Sequence, residues 1–439
     1  MKKKERILRP AARIHGGTTL PHRKGTAEQE SVVMPPPAQV RIPMAQHIGA
    51  PAEPVVKAGD RVYVGTLIGK AGGFVSAPVH ASVSGTVKAI TETPVKSVVI
   101  ESDGKMTPDP ALKPFPVKTK EDIAAAADLC GLVGLGGAGF PTRVKLTVKD
   151  ETPIDTLIIN GAECEPYITS DYRECMENYD AVIEGVYLLK EALGVERVII
   201  CIESNKPQAI EKLYTIATDK RDNDDTVKLM KLPTSYPQGA EKVLIYSATG
   251  RRVPPGKLPS DVGCIVMNIT SVAALYRFIS TGMPLVSKRV TIDGTAVKEP
   301  KNVIAPIGTP ISEILEFAGG VSEDAAEIIM GGPMMGVDIY DQNAVLEKRN
   351  NAITVMKEAP SVATTPCIHC DRCASACPMN LYPATVEAAV NHGLTDELNK
   401  MNVFCCMECG SCSFVCPAKR PLAQVMRLAK ARLKKEAAK

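Results

Sequence analysis

The 439-residue sequence predicts a multidomain α/β protein that ends in a cysteine-rich helical quarter. Three observations carry this. Between about 120 and 285, short apolar runs alternate with segments of helical period, the pattern of a parallel α/β domain. Before it, residues 41–110 hold short Val-, Ile- and Thr-rich runs broken by turn residues, the pattern of a small all-β module. After it, nine of the 14 cysteines fall between Cys367 and Cys416. At roughly 100–200 residues per domain, a chain this long holds about three units.

The elements follow in order. Residues 1–40 form an extended arm, because Gly16-Gly17, Pro21 and Pro35-Pro36-Pro37 interrupt regular structure. The basic start, Met1 to Arg6, precedes no apolar core or cleavage site, so no signal peptide is expected. In the β module, turns fall at Lys57–Asp60, Gly72-Gly73 and Ser84–Thr86. Glu121–Leu129 predicts a helix, Gly131–Gly139 a loop, and Thr156–Asn160 a buried strand. Asp171–Leu193 predicts one long helix, with Met176, Tyr179, Ile183, Val186 and Leu189 at helical spacing. Strands at Val198–Ile202, Val227–Leu232 and Cys264–Asn268 then alternate with helices at Pro207–Thr218 and Ala240–Ser247. A shorter mixed unit covers 286–345, with strands at Arg289–Asp293 and Glu327–Met330 flanking a helix at Ile311–Ala318. The cysteine-rich unit covers 360–432. Leu422–Lys439 predicts a basic amphipathic helix, read as a solvated terminal helix.

Composition excludes several classes. A net charge of +3 from 52 basic and 49 acidic residues gives no footprint for nucleic acid. Trp is absent and aromatics are 4%, so stacking platforms are scarce. No run reaches the ~18 apolar residues of a membrane span. The best candidate, Cys264–Ile279, is interrupted by Asn268, Thr270, Ser271 and Arg277. Clustered CxxC spacing in a large chain predicts metal-bound thiolates in a reducing, cytosolic compartment.

The cysteine pattern occurs twice. Cys367, Cys370, Cys373 and Cys377 precede Pro378; Cys406, Cys409, Cys412 and Cys416 precede Pro417. Both runs are C-x2-C-x2-C-x3-C-P, the spacing of bacterial two-cluster ferredoxins, in which the fourth cysteine ligates the other cluster. The expected sets are Cys367, Cys370, Cys373 and Cys416 for one [4Fe–4S] cluster, and Cys406, Cys409, Cys412 and Cys377 for the other. An all-cysteine zinc site is the competing use of CxxC pairs. Cys405 breaks the spacing and His369 is read as exposed or hydrogen-bonding. Cys130, Cys175, Cys201 and Cys264 lie alone on apolar elements and are assigned to the core.

A second pattern opens the α/β domain. The run Gly134-Leu135-Gly136-Gly137-Ala138-Gly139-Phe140-Pro141-Thr142 lets backbone amides approach a phosphate or flavin, although a plain turn has the same composition. It lacks the Gly-Lys-Ser/Thr of a P-loop and follows a helix rather than a strand, so it is no Rossmann fingerprint. Past a buried strand stand Asn160, Glu163 and Glu165, at the strand end where α/β sheets bind ligands; a polar loop capping the strand is the alternative.

Together, Gly-x-Gly-Gly-Ala-Gly-Phe-Pro-Thr and Asn-x-x-Glu-x-Glu-Pro resemble the NADH-binding flavoprotein subunit of respiratory complex I. The resemblance implies that Gly134, Gly136, Gly137, Ala138, Gly139, Lys145, Asn160 and Glu163 contact FMN, and that Phe140 and Glu165 face NAD(H). Weaker similarity adds Glu203, Lys206, Gly239, Glu241 and Asn268. Leu135 stands where that family has Arg, and Ala162 where it has Asp.

From about residue 10 to 430 the chain resembles the C subunits of Rnf electron transport complexes. The match is carried by Gly16-Gly17, Pro35–Pro37, Ile42–Pro51 and Gly73–Gly85. It implies an unmodified barrel-sandwich module resembling biotinyl and lipoyl carriers, with Ala81-Ser82-Val83 where those have a modifiable Lys. It further implies a Rossmann-like FMN/NAD(H) domain, a β-grasp unit and a helical two-cluster ferredoxin domain. The implied role is that of a peripheral subunit at the cytoplasmic face of the membrane. There it would exchange electrons between NAD(H), FMN and two [4Fe–4S] clusters, coupled by partner subunits to ferredoxin oxidation and Na+ or H+ translocation. Cobalamin reductases share the flavin and cluster units, so a soluble reductase is an alternative; a cluster-only relay is another.

Overall fold

The computed structural model describes residues 7–148, 152–220, 224–341, 343–358 and 363–437. The basic stretch 1–6 and the last two positions of the expected terminal helix lie outside them. In the arm, only β1 (Ile7–Leu8) and β2 (Val32–Val33) are regular. Each is an edge strand of a sheet built by a later part of the chain.

The β module contains β3 (Gln39–Pro43), β4 (Glu53–Pro54), β5 (Arg61–Val62), β6 (Leu67–Lys70), β7 (Val79–His80), β8 (Gly85–Thr91) and β9 (Ser97–Ser102). They form two antiparallel sheets, in the orders β3-β9-β8-β5 and β4-β6-β7. Alternate residues face inward, so Val40, Ile42, Ile68, Val79, Val98 and Ile100 are buried. This is the expected barrel-sandwich. Ala81, Ser82 and Val83 are buried at a junction rather than displayed at a tip, with Ser82 Oγ donating to the Ile307 carbonyl.

The α/β domain follows as α1 (Lys120–Leu129), α2 (Thr142–Leu146), β10 (Thr156–Gly161), α3 (Ser170–Glu177), α4 (Tyr179–Leu193), β11 (Arg197–Glu203), α5 (Pro207–Lys220), β12 (Val227–Leu232), α6 (Glu241–Thr249), β13 (Cys264–Asn268) and α7 (Ile269–Thr281). Its sheet is wholly parallel, in the order β1-β12-β11-β10-β13. Buried on both faces, the strands read as continuous apolar runs rather than alternating ones. Thr119 caps α1 in a box with Asp122.

The single helix expected over Asp171–Leu193 is two helices, broken at Asn178 (φ −124°, ψ 32°). Apolar period runs through the break, so local pattern cannot reveal it. Glu177, the last residue of α3, pairs within the helix with Arg173 (2.7 Å) and is anchored from outside it by Arg289 (3.0 Å) and the Ser31 N–H of the arm (2.9 Å).

The next sheet comprises β14 (Ser287–Asp293), β15 (Lys301–Pro306), β16 (Glu327–Met330), β17 (Val337–Asp338) and β18 (Ala352–Met356), packed on α8 (Ile311–Phe317). Its order is β17-β16-β18-β14-β15-β2, with β14 and β18 parallel, as in a β-grasp. The sheet therefore takes in β18, past the expected boundary at 345. Lys348 ties three units together. Its Nζ donates to the carbonyls of Pro78 (2.6 Å) and Gly131 (2.8 Å), beside a buried His80 that burial pushes down to about 3 and so keeps neutral.

The last unit holds α9 (Arg372–Ser375), α10 (Pro383–Asn391), α11 (Thr395–Lys400), α12 (Ser411–Phe414) and α13 (Leu422–Ala437). One face of α13 buries Leu422, Met426, Ala429 and Leu433 in a shared core with Val386, Val390 and Leu398. Its basic face is not simply solvated: Lys430 Nζ donates to the Cys406 carbonyl (2.6 Å) and pairs with Glu408 (2.7 Å), Arg427 also pairs with Glu408 (2.9 Å), and Arg432 donates to the Val390 carbonyl. Among the described residues, no helix is long and apolar enough to cross a membrane.

Candidate functional site

The strand order reverses at β10: the chain moves to β11 and β12 on one side, then crosses to β13 on the other. The crevice beyond the carboxyl ends at such a switch point is where open α/β sheets bind ligands. A cavity of about 1380 Å³ opens there. Of the residues expected to contact flavin or nucleotide, Gly134, Gly136, Gly137, Ala138, Phe140, Lys145, Asn160, Glu163, Glu165, Gly239, Glu241 and Asn268 line it. Gly139, Glu203 and Lys206 do not. Gly139 packs where an added Cβ would meet Arg349 at 3.3 Å. Glu203 and Lys206 form a buried pair (3.3 Å), and Lys206 Nζ supports the Ala162 carbonyl from behind at 2.7 Å.

The glycine loop folds on itself, Gly134 N–H donating to Phe140 O (2.9 Å) and Gly139 N–H to Gly134 O (3.2 Å). Between these bonds, the N–H groups of Gly136, Gly137 and Ala138 have no partner among the described residues, and all three residues line the cavity. Unpaired amides along one wall suit an anionic or carbonyl-rich ligand such as a flavin nucleotide. Gly137 has φ +116° and open space where a Cβ would point. Leu135, which replaces the Arg of the complex I family, turns its side chain into the core; its N–H donates to Ser271 Oγ (3.1 Å) and its carbonyl accepts from Lys288 Nζ (3.2 Å). Ala162 is likewise buried in the core.

Asn160 lies at the end of β10, donating to Gly239 O (2.8 Å) and accepting from Ala162 N–H (3.2 Å). Asn268 caps α7 with Oδ1 and donates from Nδ2 to Asp171 Oδ2 (2.7 Å). Lys145 Nζ pairs with Glu241 at 2.6 Å. The carboxylate of Glu163 accepts from Asp171 N–H (2.6 Å), and that of Glu165 from Met334 (3.1 Å) and Met335 (2.9 Å) N–H, so the β-grasp unit supplies one wall. Burial pushes both carboxyls up to about 7, against the pull of Lys24 and these amides.

A carboxyl raised from about 4.5 to about 7 keeps its proton in the folded chain while the unfolded chain loses it. Stability therefore falls as pH rises through that window, and the full cost is felt above it. Glu165→Gln removes the Glu165 share. Thermal melts of the ligand-free chain should show a smaller drop between about pH 4.5 and 7 for Glu165→Gln than for the parent, and a melting temperature above that window raised by a few degrees. An unchanged pH profile would assign the buried charge elsewhere.

The cysteine unit adjoins this cavity. Cys406, Cys409, Cys412 and Cys377 line one small void. Cys416 lies close enough to help raise the thiol of Cys373, behind burial as the main cause. The two runs repeat one backbone. Residues before and after the second cysteine are left-handed in each: His369 and Asp371 (φ 54° and 55°), Glu408 and Gly410 (59° and 78°). This curl aims amides at sulfur, His369 N–H to Cys367 Sγ (3.5 Å) and Glu408 N–H to Cys406 Sγ (3.3 Å). Amides aimed at sulfur around a shared void fit thiolate-held clusters. Among the described residues, no three His, Cys, Asp or Glu groups converge on a single metal ion. Cys130, Cys175, Cys201 and Cys264 are buried, as assigned.

Sequence reading missed Met407, which lines both the cavity and the cysteine void. It also missed Tyr236, whose hydroxyl donates to Cys409 O at 2.6 Å. Met407 sits inside the Cys406–Cys409 spacing and could have been flagged there; Tyr236 carries no local signal.

This arrangement defines an electron-transport protein built on an FMN-binding type of α/β domain. The family model of the Nuo51 FMN-binding domain matches residues 128–277, that of the RnfC barrel sandwich hybrid domain 12–105, and that of the SLBB domain 289–338. The chain is 41% identical over 427 residues to the C subunit of the Na(+)-translocating ferredoxin:NAD(+) oxidoreductase complex of Acetobacterium woodii, covering 94% of this chain and 96% of that one. It is 40% identical over 425 residues to the C subunit of the ion-translocating oxidoreductase complex of Rhodobacter capsulatus (94% and 81%). It is 40% identical over 386 residues to the C subunit of the proton-translocating ferredoxin:NAD(+) oxidoreductase complex of Clostridium ljungdahlii (85% and 83%). The chain belongs to the RnfC family, the C subunits of ion-translocating oxidoreductase complexes.

Proposed function

We propose that this chain is the NAD(H)-exchanging terminal of its complex, seated peripherally on the cytoplasmic face of the membrane. The switch-point cavity holds FMN and NAD(H), and the C-terminal unit holds two [4Fe–4S] clusters. Partner subunits couple the electron flow to ferredoxin oxidation and Na+ or H+ translocation. The observation that carries this reading is Met407, a wall of both the cavity and the void ringed by Cys406, Cys409, Cys412 and Cys377. FMN supplies the exchange between two-electron hydride chemistry at nicotinamide and one-electron chemistry at iron–sulfur centres.

The chain's own residues position and insulate. Amides of Gly136, Gly137 and Ala138 hold the flavin nucleotide, while Lys145, Asn160 and Glu163 fix its orientation. Phe140 and Glu165 face the nicotinamide. No side-chain acid or base is needed, because hydride transfer rests on alignment. The corresponding units are an arm (1–40), a barrel-sandwich (41–110), the flavin domain (120–285), the β-grasp unit (286–356, with β18 included) and the cluster unit (360–432).

Anaerobic purification, with flavin, iron and sulfide analysis, tests this. Bound FMN, about eight irons, and NADH-driven bleaching of flavin followed by a cluster EPR signal are expected. Clusters without flavin or response to NADH would make the chain a relay fed by another subunit, and zinc in place of iron would remove the redox role altogether.

A further inference from the structure

The arm lies largely at the surface but touches the cysteine unit and the α/β domain in turn. Gly17 N–H donates to the Ala376 carbonyl (2.9 Å), next to Cys377, and Thr18 pairs with Tyr236. The His22 carbonyl then accepts from Tyr167 N–H (3.1 Å), and Thr26 Oγ1 meets Thr169 Oγ1 (2.6 Å). Between these contacts lies Lys24. Partly exposed along its length, it buries its ammonium among the carbonyls of Glu163 (2.9 Å), Glu165 (2.7 Å) and Ile168.

The segment it grips is the one that carries Glu163 and Glu165 to the cavity. Two of its residues, Glu163 (φ +50°) and Tyr167 (φ +69°), hold left-handed conformations that side-chain-bearing residues rarely adopt. Such conformations persist where surrounding contacts over-determine them. Three carbonyls converging on one ammonium supply that constraint. Carboxylates of Glu163, Glu203 and Asp293 act on or feel the same ammonium, so it also balances negative charge behind the cavity wall.

We propose that Lys24 is a positioning residue of the cavity, fixing the Glu163–Ile168 segment so that Glu163 and Glu165 meet the bound flavin and nicotinamide nucleotide. The inference rests on the reading of the cavity given above. It makes the arm part of the site, although the arm contributes no residue to the cavity lining.

The test compares Lys24→Met and Lys24→Arg with the parent in the full chain, reading FMN dissociation, KM and kcat for NADH, iron content, and hydrogen exchange at residues 163–169. For Lys24→Met we expect FMN affinity and KM each to worsen at least tenfold with iron content unchanged. Exchange should rise within 163–169 and not across the sheet, and Lys24→Arg should recover part of the affinity. Parent-like FMN affinity and KM in Lys24→Met would overturn the proposal, as would exchange rising throughout the chain together with loss of iron. If the parent itself binds no FMN, the reading of the cavity fails as well. Parent binding with an indifferent Lys24→Met removes this inference alone.

Discussion

Gly137→Val should abolish flavin retention while leaving the chain folded. Gly137 has φ +116°, a region that valine reaches only with strain of order 1–3 kcal/mol, and its missing Cβ faces open cavity rather than protein. The substitution therefore costs twice at one place: the loop shifts to relieve the backbone, and an isopropyl group enters space meant for the ligand. Displaced amides at Gly136 and Ala138 add to the loss. An affinity decrease of at least 100-fold, about 2.7 kcal/mol, is expected in equilibrium dialysis of FMN. Gly194→Val is the matched control, since Gly194 (φ +64°) ends α4 with nothing near a Cβ and no part in the cavity. It should lower stability and leave FMN affinity alone. Equal effects of the two substitutions would mean that strain, not the cavity, governs binding.

Cys377→Ala should behave like Cys406→Ala or Cys412→Ala, and unlike Cys367→Ala. The first run contributes Cys377 to the void of the second run, where it joins Cys406, Cys409 and Cys412. Losing it should halve the iron content, from about eight to about four, and remove the EPR signal nearer the flavin. NADH should still bleach the flavin, but reduction of the remaining centre should slow by about 100-fold or more, as expected of the proposed route past Met407, which lines both the cavity and the void. Cys416→Ala should instead share the phenotype of Cys367→Ala. Should Cys377→Ala and Cys367→Ala delete the same signal, each run holds its own centre and the crossed assignment is wrong.

Both predictions start from motifs that sequence alone displays. The paired C-x2-C-x2-C-x3-C-P runs have a spacing dictated by how closely spaced thiolates wrap a compact centre. The glycine loop and the Asn160–Glu165 segment were each legible because each is local chemistry written into adjacent residues. The parallel sheet was legible for a similar reason. Its strands are buried on both faces, so each is an unbroken apolar run between helices, and every expected strand is present.

What the tertiary structure alone decided lies where distant residues meet. The end of α3 beside Asn178 is anchored by Arg289, more than a hundred residues away, and by Ser31 of the arm. The depth of Glu203 and Lys206 behind the wall follows from packing, which no spacing encodes. Leu135 illustrates the point most directly. By sequence it is a departure from a binding loop, yet its side chain belongs to the core and its backbone to the loop, so the replacement touches packing and leaves the amides in place. Lys24 is one more such case: a lysine in an irregular arm carries no pattern, and only folding brings three carbonyls to its ammonium. Sequence thus determined most of the elements and the candidate ligating residues, which arise from neighbours along the chain. The fold decided which of those residues share a cavity and what holds them there, because burial and charge pairing act through space.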